Sequence, residues 1–241
     1  IWWTFWSHGG PFRAIFEEQG DLDVTKVPIE DSVYRDFTLQ DSPILGGLGK
    51  VSNTMGTVFR MGDLIIGSDK FEHVFGFGYG YYVMHYRWGF SMEAVLEANR
   101  LAERYVFGSL PTAVDSYADL AVNIAGIRLL NSFVGAKRDI ITGQYPTTPY
   151  LRCEGSDWVF NEAREFDWRD WVDASWDEGN NCSAFKTERA TNQVLARLDE
   201  LEETHSLPHH CPIDSDALEE AAQKYGIYRD ELINPSHRAI Q

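Results

Sequence analysis

The amino-acid sequence predicts a mainly α protein: a single helical domain with a loop-rich N-terminal wrap and a C-terminal helical extension. Three stretches carry the expectation. From Val114 to Phe133 apolar residues fall on nearly every helical face, as in a buried helix. Behind Ser91, a good N-cap with Glu93 in the first turn, Met92, Val95, Leu96, Asn99, Ala102, Tyr105 and Val106 follow helical spacing to Gly108. Lys186 to Thr204 is amphipathic, with Val194, Leu198 and Leu201 on one face.

Taken in order, residues 1–68 read as loops with one or two short helices, broken by Gly9-Gly10-Pro11 and Gly46-Gly47. Leu39 to Gly49 is a turn-rich connector, and Val58 to Ile66 is a short helix or strand. Asp69 to Trp88 reads as a helix despite Gly76, Gly78 and Gly80. Gly76 and Gly80 stand one turn apart, which predicts tight packing of another helix against that face. The run GFGYG is not a dinucleotide loop, because its spacing departs from G-x-G-x-x-G. Pro111 and Thr112 turn the chain into a helix that contains Asp115 and ends near Gly135.

The stretch GQYPTTP at 143–149 marks the one domain boundary that the pattern suggests. It divides a core with its N-terminal wrap (1–142) from an extension (143–241) packed on it as one domain. In the extension, residues 166–178 interleave Trp168, Trp171 and Trp176 with Asp167, Asp170, Asp173, Asp177 and Glu178. Such a segment suits a protein partner, a glycan platform or a cation site; the plainer alternative is a short amphipathic helix with Phe166, Trp171 and Trp176 turned inward. The last helix starts near Asp216, buries Leu218, Ala221, Ala222 and Tyr225, and stops at Gly226; the tail after Pro235 is loose.

A composition of 44% hydrophobic and 24% charged residues is that of an ordinary globular protein. A formal net charge of −16 argues against nucleic acid and anionic membrane surfaces as partners. No stretch spans a bilayer; Val74 to Tyr86 is too short and contains His85. The chain begins at Ile1 rather than Met and reads as processed or trimmed. Cys153, Cys182 and Cys211 make no CxxC pair, and their odd number leaves one thiol over. One disulfide, Cys153–Cys182 or Cys182–Cys211, would staple the C-terminal part in an extracytoplasmic protein, periplasmic or secreted.

The polar residues inside the most apolar stretch point to a site. Asp115, Asp119 and Asn123 recur at i, i+4 and i+8, and Asp69 and His73 form a second i, i+4 pair with Lys70 beside them. Buried carboxylates have to be paired, hydrogen-bonded or metal-bound. If the two helices pack antiparallel, Asp69, His73, Asp119 and Asn123 converge. Imidazole and carboxylates at this spacing are ligand types for Zn or Mn, with Asp69, His73 and Asp119 as the candidate ligands. The plainer reading is a satisfied buried network in which Lys70 neutralises a carboxylate. Glu93 and Glu97 read as a solvated face, and His205, His209, His210 and Cys211 as a possible metal tract or an exposed turn.

The pattern DKFEH followed by SYADLAVNIAG resembles a group of uncharacterised bacterial envelope proteins carrying D-K-x-x-H and S-x-x-D-L-x-x-N-x-x-G, and is distantly similar to VanZ-like proteins. The match covers about a quarter of the chain. It singles out Asp69, Lys70, His73, Ser116, Asp119, Asn123 and Gly126. WRDWVDASWDEGNNCSAF also resembles the C-terminal half of the first group, which implies an extracytoplasmic setting for Cys182. VanZ-like proteins have membrane-spanning helices and this chain has none, so a membrane role is not implied.

Two functions follow. In the first the chain is an envelope or secreted hydrolase. His73 is general base or ligand, Asp69 and Asp119 orient it or hold a metal, Asn123 donates to an oxyanion, and Lys70 and Ser116 complete the catalytic group. In the second it is a non-catalytic structural or interaction protein whose Asp/His/Asn cluster locks the core. Accessibility separates them: a catalytic His73 opens onto a pocket, and a structural one is sealed.

Overall fold

The computed structural model describes residues 23–52, 56–205 and 210–234. The expected N-terminal wrap at residues 1–22, His209 and the tail after Pro235 lie outside that range. Helix makes up about 51% and strand 13%, with several sheets, so the fold is mixed α and β rather than mainly α. The difference arises in segments read as loops and in Val58 to Ile66, which the sequence leaves open between helix and strand and which lies within a hairpin. Asp23–Val27 (β1), Gly56–Met61 (β2) and Leu64–Gly67 (β3) form an antiparallel sheet in the order β1-β2-β3, with Thr25 opposite Val58 and Phe59 opposite Ile66. Gly62-Asp63 turns the β2–β3 hairpin, Gly62 standing at φ +65° where a side chain would be strained.

The helical core follows. α1 spans residues 69–87 as one continuous rod, with α-helical turns at Asp69–Glu72 and Gly78–Tyr82 and wider π turns at His73–Phe77 and Val83–Arg87. α2 spans residues 92–107 behind its Ser91 cap, which accepts from the Ala94 N–H at 3.3 Å. α3 (Tyr117–Val134) is capped by Ser116 and ends at Gly135, whose φ of +61° gives the left-handed turn. Asp115 is therefore not helical: Val114–Asp115 is β4, paired with Ala184–Phe185 (β7). Leu151–Glu154 (β5) and Asp157–Phe160 (β6) form a second hairpin, again turned at a glycine, Gly155, with φ +65°. α4 (Glu188–His205) and α5 (Ser215–Gln223) complete the larger elements.

α3 lies between two apolar clusters. Leu120, Ile124 and Ile127 meet Tyr81, Val95, Leu218 and Tyr225 on one side; Val122, Ala125 and Leu129 meet Phe59, Phe71, Val74 and Trp176 on the other. Burial on both sides explains its all-round apolar character. The acidic Trp segment forms only a short 3-10 turn at Trp168–Asp170 rather than an amphipathic helix. Its rings point inward: Trp168 stands edge-on to Phe71 at 4.8 Å, and Trp176 is fully buried. Cys182 and Cys211 form the disulfide, with Cα atoms 5.8 Å apart, and Cys153 is free and exposed. The His/Cys tract thereby loses its thiolate as a metal ligand. Among the described residues no helix is long and apolar enough to cross a membrane.

α1 and α3 run parallel, not antiparallel. Lys70 meets Asp119, His73 meets Asn123, and Gly78 meets Gly126. α2 carries the chain back between them, so the first and third rods share a direction. The close approach is made by Gly78 and Gly126, not by Gly76 and Gly80, at which an added Cβ would meet nothing within 4 Å. A Cβ on Gly126 would stand 2.5 Å from the Val74 carbonyl oxygen. Gly126→Ala is therefore expected to destabilise by roughly 1–3 kcal/mol through overpacking. Gly80→Ala is expected to stabilise by roughly 0.5–1 kcal/mol through helix propensity. Urea melts of both variants check this; a shared sign would show that helix contact is not what requires Gly126.

Candidate functional site

The centre of the site is a lysine. Lys70, on the first turn of α1, is 1% exposed, and its Nζ reaches Asp119 Oδ1 at 2.5 Å, Glu178 Oε1 at 2.6 Å and Asp69 Oδ2 at 3.1 Å. An ammonium in that position is stable only if paired and hydrogen-bonded. Burial works against its charge, but the three carboxylates hold its pKa well above the ordinary lysine value. Burial also works to raise the Asp69 carboxyl, and Lys70 and His73 outweigh it and lower it. Glu178 goes the other way: burial raises its pKa, assisted by the charges of Asp119 and Asp69 against the pull of Lys70.

His73, one turn after Asp69, is oriented by a relay of amides. Asn99 on α2 donates to the Leu120 carbonyl at 3.2 Å, which fixes the orientation of its amide. Asn99 Oδ1 then accepts from Asn123 Nδ2 at 2.9 Å, leaving Asn123 Oδ1 to accept from His73 Nδ1 at 3.1 Å. The network thus assigns the proton to Nδ1 and the lone pair of the neutral ring to Nε2. Nε2 faces Asp119 Oδ2 at 3.4 Å, and Phe77 stacks on the ring at 4.9 Å. Asp69, His73 and Asp119 each offer a ligand atom, and these atoms lie within 4.8 Å of one another.

The group opens into a recess of about 210 Å³, lined by Asp69, His73, Asp119, Ser116 and Glu178 together with Tyr34 and Glu103. His73 is not sealed. Ser116 N–H donates to Glu103 Oε1 at 3.0 Å, and Ser116 Oγ donates to Glu178 Oε1 at 3.1 Å while accepting from the Asp119 N–H. Burial, followed by the charge of Asp119, pushes the Glu103 carboxyl well above its ordinary pKa.

All six sequence-predicted residues, Asp69, Lys70, His73, Ser116, Asp119 and Asn123, come together, although through parallel rather than antiparallel helices. Three of them are engaged by other groups, Lys70 as the network reading expects. The Asn123 amide is taken up by Asn99, so it is not free to donate to an oxyanion. Ser116 is the helix cap, and Lys70 is saturated by carboxylates. Asp115, predicted in the same row as Asp119, lines a different cavity with Arg104 and Tyr105, because the helix starts only after it. Glu178, Glu103, Asn99 and Tyr34 escaped the sequence reading. Asn99 and Glu103 stand one turn apart on the buried face of α2, polar residues in an apolar row, which was a usable signal. Glu178 lies in a loop without periodicity.

Comparison of the chain with protein-family models, with curated proteins and with solved structures returned no match.

Two outcomes are expected. Lys70→Met leaves the buried Asp119 carboxylate, and the partly exposed Asp69 and Glu178, without a counter-charge and should cost about 3 kcal/mol at neutral pH, and less in acid where the carboxylates take up protons; urea melts read this. Glu103 binds its proton more tightly folded than unfolded. Its contribution to stability is therefore present below the ordinary glutamate value of 4.5 and lost as pH rises through its raised pKa. Wild type is expected to lose stability relative to Glu103→Gln over that rise. A pH-independent difference would mean that Glu103 titrates normally.

Proposed function

We propose that the recess is the active centre of a divalent-cation-dependent hydrolase working outside the cytoplasm, with Asp69, His73 and Asp119 holding the ion. One observation carries the reading: the amide relay turns the Nε2 lone pair of His73 toward Asp119 Oδ2 at 3.4 Å. Two lone pairs at that distance repel unless a cation or a proton lies between them. Ligand atoms about 2.0–2.2 Å from a tetrahedral ion lie about 3.3–3.6 Å apart, and this pair fits. Mixed imidazole and carboxylate donors suit Zn or Mn. With Lys70 set against Asp69 and Asp119, one negative charge remains for an ion to offset.

Such an ion supplies a water of lowered pKa and polarises the bond to be cleaved. The protein's own groups do the rest. His73 is held by the Asn123 carbonyl and the Phe77 ring, so its lone pair keeps its direction. Burial raises the Glu178 carboxyl pKa at the recess wall, the direction a general acid needs. The Cys182–Cys211 disulfide supports an oxidising compartment.

The saturation of Lys70 by three carboxylates favours a second reading, a non-catalytic network that fixes the core. Elemental analysis after incubation with Zn or Mn, with His73→Ala and Asp119→Asn alongside, separates the two. The hydrolase reading expects one ion per wild-type chain, loss of the ion in both variants, and hydrolysis in an ester, amide and phosphoester screen that His73→Ala abolishes. Wild type without an ion, together with His73→Ala destabilised by about 1–3 kcal/mol through an orphaned partner, would replace it with the network.

A further inference from the structure

On the far side of Phe77 from the recess, α1 and α2 part to leave an apolar groove of about 550 Å³, within the range of small-molecule sites. Its floor is Gly76 and Gly80 on α1 against Ala98 and Ala102 on α2. Neither glycine turns the chain at positive φ, and an added Cβ would meet nothing within 4 Å at either. Each costs the helix about 0.5–1 kcal/mol relative to alanine, with no packing in return. Their effect is to keep the groove open. Lined on α1 from Gly76 to Trp88, it runs along about 18 Å of helix.

The lining holds a single charged side chain, Arg87, and no carboxylate. Arg87 is exposed at the end of α1 beside Trp88, which is 65% exposed, and among the described residues no ion pair or hydrogen bond engages its guanidinium. In a chain with 37 acidic residues and 21 basic ones, a cation left unneutralised at the mouth of an apolar slot is complementary to one ligand type. We infer that the groove binds a long-chain fatty acid, its alkyl chain lying over Gly76 and Gly80 and its carboxylate meeting Arg87. The inference does not rest on the metal reading. The two sites share only Phe77, which walls the groove and stacks on His73.

Equilibrium dialysis of radiolabelled palmitate against the whole chain, below the micelle concentration, tests this. Saturable binding of one molecule per chain is expected. Gly80→Leu fills the floor and should abolish binding while leaving Tm unchanged or higher; Gly76→Leu repeats the test at the other glycine. Arg87→Glu should weaken palmitate about fivefold, the size of an exposed ion pair, without affecting hexadecanol. No saturable binding by wild type, or undiminished binding by both leucine variants, would overturn the proposal. So would a wild-type dimer by light scattering that binds no palmitate and that Gly80→Leu converts to a monomer, since a second copy would then fill the groove.

Discussion

The structure depends on one buried ammonium. Lys70 bridges its neighbour Asp69, Asp119 at the start of α3 and Glu178 in the loop before β7, which are far apart in sequence. Without a cation there, the buried Asp119 carboxylate would face two like charges, the partly exposed Asp69 and Glu178, with nothing to offset them. Paired with Lys70, they fix where α1, α3 and the 171–183 loop stand relative to one another. The charges on either side of this hub are unequal. Lys70 lowers Asp69, whereas Glu178 and Glu103 keep raised pKa values. An arrangement of this kind separates acid from base within one recess, a common trait of catalytic sites.

Helix register makes the hub possible. Parallel packing of α1 and α3 places residues roughly fifty apart in sequence opposite each other along the whole contact: Lys70 with Asp119, His73 with Asn123, Gly78 with Gly126. The glycine pair brings the backbones close at one level, and the ionic and amide pairs occupy the levels before it. Between them, α2 delivers Asn99 and Glu103, one to orient His73 through Asn123 and the other to hold the Ser116 backbone at the helix cap. The polar residues of three helices thus form a single connected network, satisfied at most of its atoms, as buried polar groups in low dielectric must be.

Much of the site was legible, and less of the fold. Asp69, His73, Asp119 and Asn123 could be read because carboxylates and amides in an otherwise apolar helix demand partners, and helical spacing says which of them share a face. Their direction of packing could not, since antiparallel and parallel arrangements both bring two i, i+4 pairs together. Gly76 and Gly80 misled for a related reason: spacing reveals that a face is smooth, not whether a helix covers it. Val58 to Ile66 was open to a strand, but β1, β5 and β6 were missed because they are short and mostly exposed, and DVTKV in β1 resembles loop composition. Yet both hairpins carry a glycine at the turn, in MGDL and in EGSD, and that signal marks them as strands. Glu178 could be read only as one acid of the Trp-rich segment, since nothing local ties it to Lys70 rather than the acids around it.

That a loop residue completes a site otherwise built on helices raises the question of how the loop is held. Asp177 accepts from the Ile65 N–H of β3 and the Gly179 N–H, while Asn181 donates to the Ser175 and Leu232 carbonyls and accepts from Asn234. Cys211 adds the covalent tie through Cys182, closing a loop of sequence separation 29 that contributes roughly 3–4 kcal/mol on the chain-entropy account. These restraints flank Glu178 on both sides, and their entropic effect is to remove the freedom that a loop carboxylate would otherwise keep. Held this firmly, the Glu178 carboxyl stays against Lys70 and Ser116 although its side chain is 39% exposed. The disulfide and the amides around it therefore act on the recess through the position of one carboxyl group, as Lys70 does through its ion pair with it.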